Sequence, residues 1–174
     1  HSPPHYPLGG RHAYHLSAAN FEHKPIVGKS PERMAAFSSG LLDTLDGEGE
    51  SLFAWCVLPS HWHALVDTDD LRKLLERIGK LHGRCSFAWN GEESLRGRKC
   101  WYCCADRRIR SDRHFQATRN YIHHNPVKHG YVERWDEWVF SSAVEFLRAV
   151  GKHQARRLWL DYPVLDMGDK WDFD

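Results

Sequence analysis

A chain of 174 residues with 41% hydrophobic content and eight Trp carries enough apolar material for a core of its own, which excludes wholesale disorder. No apolar run approaches the roughly 20 residues that span a bilayer, and no secretory signal is visible, so neither a membrane protein nor an exported one is expected. The net charge of +1 conceals a polarity: residues 1–70 hold 4 basic and 9 acidic side chains, residues 71–130 hold 14 and 5, and residues 131–174 hold 6 and 9, so the middle reads either as a polyanion-binding face or as ordinary solvated surface.

In chain order, residues 1–11 are rich in Pro and Gly and read as an irregular arm. Partial alternation from His12 to Ala19, with Tyr14 and Leu16, predicts a first strand. Ser30-Pro31 is a helix start, with Ser30 able to cap and Pro31 suited to the first helical position. Helical apolar spacing then runs from Arg33 to Leu45 and breaks at Gly47-Glu48-Gly49. The near-continuous apolar run Leu52–Leu58 predicts a buried central strand. After the tight turn at Pro59-Ser60, His61 to Val66 predicts its hairpin partner. Asp69 or Asp70 can cap a helix from Leu71 to about Phe87, with Leu71, Leu74, Leu75, Ile78 and Leu81 on one face. Asn90 to Lys99 reads as a loop and Cys100 to Ala105 as a short strand. Ser111 or Asp112 starts a last helix through Tyr121 to about His124, stopped before Pro126. The order β-α-β-β-α-β-α predicts an α+β fold on the ferredoxin-like or RRM-like plan, an antiparallel sheet with helices on one face. Residues 1–147 then form the main domain and residues 148–174 a tail, whose Trp159, Tyr162 and Trp171 either stack on bases or anchor it to the core.

The five Cys are uneven, with Cys100, Cys103 and Cys104 crowded together, and read as reduced thiols of a cytoplasmic protein. They supply no second paired motif for a four-ligand zinc site, so packed thiols are expected.

Two candidate chemistries stand out. His61 and His63 are two apart on an expected strand, so both imidazoles point to one face while Trp62 points to the other. Such a pair suits a divalent ion, or is simply two surface or hydrogen-bonded histidines. Tyr121 and Asn125 are four apart and share a helix face if the helix extends that far. Tyr121 can be a phosphoryl nucleophile and Asn125 a carbonyl ligand to the same ion; equally, they can be a packing tyrosine and a helix terminus. His123 and His124 are adjacent, so at most one faces such a site. Arg96, Arg98, Lys99, Arg107, Arg108, Arg110 and Arg113 can track phosphates, as can Lys128 one turn past Asn125, or they are solvated side chains.

Taken together, these segments resemble the HUH single-tyrosine transposases. Leu58-Pro59-Ser60-His61-Trp62-His63-Ala64-Leu65-Val66 resembles the HUH motif, and Trp101 through Asp106-Arg107-Arg108-Ile109-Arg110 resembles the family's W…Y-D-R-x-I-R segment. Tyr121-Ile122-His123-His124-Asn125-Pro126-Val127-Lys128-His129-Gly130 is similar to its Y-I-x-x-N-P-V-K-x-G block, and Trp138 to Ala143 to its W-x-x-S-S trailer. The ordered set, from about Leu8 to Phe146, is most similar to the REP-associated tyrosine transposase branch. The resemblance implies His61, His63 and Asn125 as ligands of Mg²⁺ or Mn²⁺, and Tyr121 as the nucleophile. Arg107, Arg108, Arg110, Arg113 and Lys128 are then expected on DNA. The implied reaction cleaves and rejoins single-stranded DNA next to hairpins through a 5′-phosphotyrosine, in a monomer or a homodimer. The rival readings are a catalytically silent hairpin-binding protein of the same fold and a metal-dependent hydrolase of small phosphoesters. Ser60 stands where the family pattern has Asn, Ala64 where it has Leu, and Cys103-Cys104 where it has polar or aromatic residues; none of these removes a catalytic group.

Overall fold

A computed structural model describes residues 10–47, 49–164 and 167–168. Most of the expected N-terminal arm, and Trp171 of the tail, lie outside the described residues. The first strand, β1 (His12–Ala19), has the expected bounds and puts Tyr14, Leu16 and Ala18 into the core. Helix α1 (Pro31–Leu45) begins where Ser30 Oγ accepts from Arg33 N at 3.2 Å, and it buries Met34, Phe37, Leu41 and Leu45 along one stripe. Strands β2 (Ser51–Val57) and β3 (His61–Thr68) form the hairpin. Helix α2 (Leu71–Glu92) is capped by Asp70, whose Oδ1 accepts from Lys73 N at 3.0 Å.

Strand β4 (Ala105–Arg108) and helices α3 (Asp112–Lys128), α4 (Ala143–Val150) and α5 (Lys152–Asp161) complete the order. The four strands make one antiparallel sheet in the order β2-β3-β1-β4, with β3 and β1 central. This bears out the α+β plan, the antiparallel sheet and the central position of the His-x-His strand, but helices cover both faces rather than one, and the apolar strand β2, expected to be central, stands at an edge. Helices α1 and α2 share a face, closing a core around Trp62, Ala64, Val66, Leu74 and Ile78, where each fully buried large side chain contributes about 1.5–3 kcal/mol. Helix α3 crosses the opposite face, packing Tyr121 and Ile122 onto Ala54, Cys56 and Leu65.

Three boundaries differ from the sequence expectation. The short strand lies at Ala105–Arg108 rather than Cys100–Ala105. Trp101 makes one isolated bridge to Asn20 and stacks on Phe37 and His82, so the chain runs beside β1 only from Ala105 onward. Helix α3 continues through Pro126 to Lys128 instead of stopping at His124. The proline removes one helical N–H, but His129 N still donates to Asn125 O at 3.1 Å and the turn survives. Helix α2 also extends past Phe87 to Glu92.

The Trp-x-x-Ser-Ser segment lies along the edge of β2. Val57 N donates to Phe140 O at 2.8 Å, Ser142 N to Trp55 O at 3.0 Å, and Trp138 Nε1 to Val57 O at 2.8 Å. An exposed edge is thereby occupied by the chain itself. Ser142 Oγ also accepts from Trp55 N at 2.9 Å and meets His123 Nε2 at 2.9 Å, tying α3 to the sheet.

Candidate active site between the sheet and helix α3

Register assigns the faces. Opposite residues of an antiparallel ladder share a face, so His63, paired with Ser17 and Cys56, shares it with Leu65, His15 and Arg107. Trp62 takes the other face, as the spacing predicted. Helix α3 brings Tyr121 and Asn125 over the histidine face, both buried. The four residues singled out in sequence therefore converge. His61 Nε2 lies 3.0 Å from Asn125 Oδ1, and the ring of His63 lies 5.3 Å from that of Tyr121, edge on.

Each histidine is also held from behind. Ser60 Oγ meets His61 Nδ1 at 3.0 Å. A hydroxyl both donates and accepts, so the serine serves either tautomer of His61. His63 Nδ1 meets His15 Nε2 at 3.1 Å, and the His15 ring lies 5.8 Å from Tyr121. The His129 ring packs on His61 at 4.8 Å. Sequence reasoning missed His15 and His129. Alternation on β1 places His15 opposite Leu16, but that β1 lies beside β3 is a long-range fact no local pattern carries.

The donor set suits a divalent cation. Two neutral imidazoles and an amide oxygen are borderline-hard ligands. Two ligands held about 2.1 Å from one octahedral ion at right angles are about 3.0 Å apart, the spacing seen between His61 Nε2 and Asn125 Oδ1. Among the described residues no group of three or more His, Cys, Asp or Glu is disposed for a metal, so the amide of Asn125 is needed to make a third ligand.

The basic residues separate by face. Arg107 is half-buried on the histidine side; burial lowers its pKa, and Tyr121 is close enough to act on it electrostatically. Arg108 points to the other face and meets His12 Nδ1 at 3.1 Å. Arg110 and Arg113 are exposed at the start of α3, where Arg110 and Arg107 join burial in lowering the pKa of His114. Lys128 Nζ lies 5.6 Å from the Tyr121 ring centroid. Gly168 lies against the same tyrosine, since a Cβ there would stand 2.8 Å from Tyr121 Oη. His123 and His124 both face away from this site. His123 is held by Ser142, with burial, then Arg119, pushing its pKa down to about 3; His124 packs on Trp159. Of the crowded thiols, Cys100 is buried against Asn90, Cys103 is exposed, and burial pushes Cys104 up to about 12.

No known family profile matches the chain. Curated relatives do. The REP-associated tyrosine transposase of Escherichia coli (strain K12) is 32% identical over 124 residues, covering 69% of this chain and 64% of the relative. A Haemophilus influenzae relative of the same description is 31% identical over 122 residues, covering 61% of this chain and 66% of that protein. The chain thus spans just under two thirds of the length of either. A solved REP-associated tyrosine transposase bound to a REP hairpin has the same fold, with a TM-score of 0.65 and 23% identity over all of this chain and 95% of that one. Two relatives of this kind, and a solved protein with the same sheet and helices, make the chain similar to the REP-associated tyrosine transposases over just under two thirds of their length.

Proposed function

We propose that this chain is a metal-dependent nuclease and strand transferase that cuts and rejoins single-stranded DNA beside a hairpin in the cytoplasm, with Tyr121 as nucleophile. The observation that carries this is the meeting of one phenol with two imidazoles and an amide across the sheet–helix interface. A REP hairpin is what the fold neighbour holds, which makes such DNA the first substrate to test.

Tyr121 Oη attacks the phosphorus of the scissile phosphodiester. The new O–P bond forms as the bond to the 3′-oxygen breaks, the phenol proton passes to solvent, and the 3′-hydroxyl leaves protonated. The product is a 5′-phosphotyrosine, and return of a 3′-hydroxyl to that phosphorus reverses the step. His61, His63 and Asn125 would hold a divalent ion, Mg²⁺ or Mn²⁺, which when bound would supply polarisation of the phosphate and compensation of developing charge. Ser60 and His15 fix the two rings. Arg107 and Lys128, close to Tyr121, position the phosphate, while Arg108, Arg110 and Arg113 contact DNA farther out.

The test incubates hairpin DNA bearing a single-stranded flank with Mn²⁺ and looks for a covalent adduct by mass spectrometry. Wild type forms it on Tyr121; Tyr121→Phe forms none and keeps its hairpin affinity within about twofold, because the hydroxyl acts on the transition state rather than on binding. Cutting at the wild-type rate by Tyr121→Phe overturns the assignment. Binding without any adduct in wild type identifies a silent hairpin binder. Turnover of small phosphoesters without DNA affinity identifies a hydrolase.

A further inference from the structure

On the flank of α3 turned away from Tyr121, the helix meets α4 and α5 around a cavity of about 480 Å³, within the span of roughly 300–1,000 Å³ typical of small-ligand sites. Asn120, His123 and His124, at spacings of three and four, give it one wall. Three aromatic side chains, Trp135, Phe146 and Trp159, give it flat apolar surfaces. The walls are fixed. His123 is 3% exposed and bound to Ser142 Oγ at 2.9 Å, with its ring near parallel to Trp135 at 6.0 Å. Asn120 Nδ2 donates to Leu158 O and Tyr162 O, both at 2.9 Å, clamping the end of α5. Trp159 lies 4.7 Å from His124 and is still 37% exposed, an indole face left at the mouth.

Lys152 and Arg156 also line it, and no salt bridge among the described residues engages either. Arg134 also reaches the cavity but is clasped by Asp136 at 2.7 Å, which spends the carboxylate. Burial lowers the pKa of His124, so its ring is a neutral hydrogen-bonding edge rather than a third cation. An uncharged apolar ligand would leave the two cations unused, and a bare anion would leave the aromatic faces unused. A planar heteroaromatic ring joined to a phosphate uses both.

We propose that this cavity holds one unstacked nucleotide of the single strand that flanks the cut, its base against Trp159 and Trp135 and its phosphate on Lys152 and Arg156. The assignment to a DNA strand rests on the proposed nuclease reading; helix α3 supplies both Tyr121 and one cavity wall, so one strand can engage both.

The experiment titrates each deoxynucleoside 5′-monophosphate, and base-free deoxyribose 5-phosphate, into the full chain by calorimetry. It repeats the titrations with Trp159→Ala and Arg156→Glu, both at exposed positions, after far-UV circular dichroism has matched each variant to wild type. Expected is a Kd below about 1 mM for at least one nucleotide, about tenfold weaker in either variant and about tenfold weaker for the base-free sugar. Affinity for a hairpin with a single-stranded flank falls by a similar factor in the variants, while that for a flankless hairpin does not. Blank titrations for every nucleotide, or equal Kd values in wild type and variants, overturn the proposal. Nucleotide binding with unchanged flank affinity overturns its assignment to the strand. Nucleotide binding through Trp159 in a protein that makes no Tyr121 adduct upholds the cavity and defeats the nuclease reading; an adduct with blank titrations does the reverse.

Discussion

His82 stands in the α1–α2 core as a neutral imidazole. Trp62 Nε1 donates to its Nε2 at 3.1 Å, which fixes that nitrogen as an acceptor, and its ring lies flat on Trp101 at 4.1 Å. Burial lowers its pKa to about 4, and that of His123 to about 3. Both folded values lie below the unfolded one, so the unfolded chain binds protons that the folded chain refuses. Stability is therefore full above about pH 6.5 and falls as the pH drops toward 4, by about 2 kcal/mol per histidine between pH 7.5 and 5. In urea titrations at those two pH values, the difference in His82→Gln is expected to be about 2 kcal/mol smaller than in wild type. An undiminished difference would place the acid sensitivity elsewhere. A second residue, His15, acts on the site through His63. If Nδ1–H of His63 donates to His15 Nε2, the other ring nitrogen keeps its lone pair for a ligand. His15→Phe should weaken Mn²⁺ binding about tenfold in a calorimetric titration. An unchanged Kd would sever that link.

The turn that delivers His61 depends on a glycine in another element. Gly28, in the single-turn segment Val27–Lys29, donates its N–H to Pro59 O at 2.9 Å. A Cβ at this position would stand 2.3 Å from Pro59 Cβ and 2.7 Å from its Cα, so the Pro59-Ser60 turn rests on bare backbone. Gly28→Ala is expected to cost about 1–3 kcal/mol in urea denaturation and to slow adduct formation by displacing His61. Wild-type stability in that variant would show that the turn gives way freely. Elements of this kind divide what sequence could reveal. Strand β1 and helix α1 were legible because alternation and the Ser30-Pro31 start are local signals. Strand β4 was misplaced because the apolar Cys100 and Trp101 are buried in the core through tertiary contacts, before the chain reaches the sheet. The end of α3 was misplaced because Pro126 is a weak stop when the following turn keeps its bonds. His61, His63, Tyr121 and Asn125 were legible as two short-range pairs with a known order. The support from His15, and the cavity beneath α5, depend on elements far apart in the chain.

At the scale of the whole molecule, Tyr121, the proposed nucleophile, meets Met167 and Gly168 from the far side of the chain. Tyr121 is 2% exposed. Met167 packs into the same apolar cluster, with its N–H on Val164 O at 2.9 Å, and Gly168 turns with φ near +99° against the phenol. A Cβ on Gly168 would come 2.7 Å from Lys128 Nζ as well as meeting Tyr121, so the backbone there packs against both side chains proposed to meet the phosphate. On the proposed reading, a scissile phosphate can reach Tyr121 Oη once the contact with Met167 and Gly168 opens. The working population is then the fraction with the segment displaced, and apparent activity is scaled by that fraction. Ending the chain after Pro163 retains the Asn120 contact to Tyr162 while removing Met167 and Gly168. Adduct formation on hairpin DNA should then rise about tenfold, for a segment displaced about one tenth of the time, with thermal stability lowered by the lost packing. Gly168→Ala should act in the same direction, because its added methyl collides with the phenol while the backbone conformation disfavours any side chain. A truncated chain that cuts no faster, yet binds the hairpin as well as the full one, would mean that DNA displaces the segment without cost.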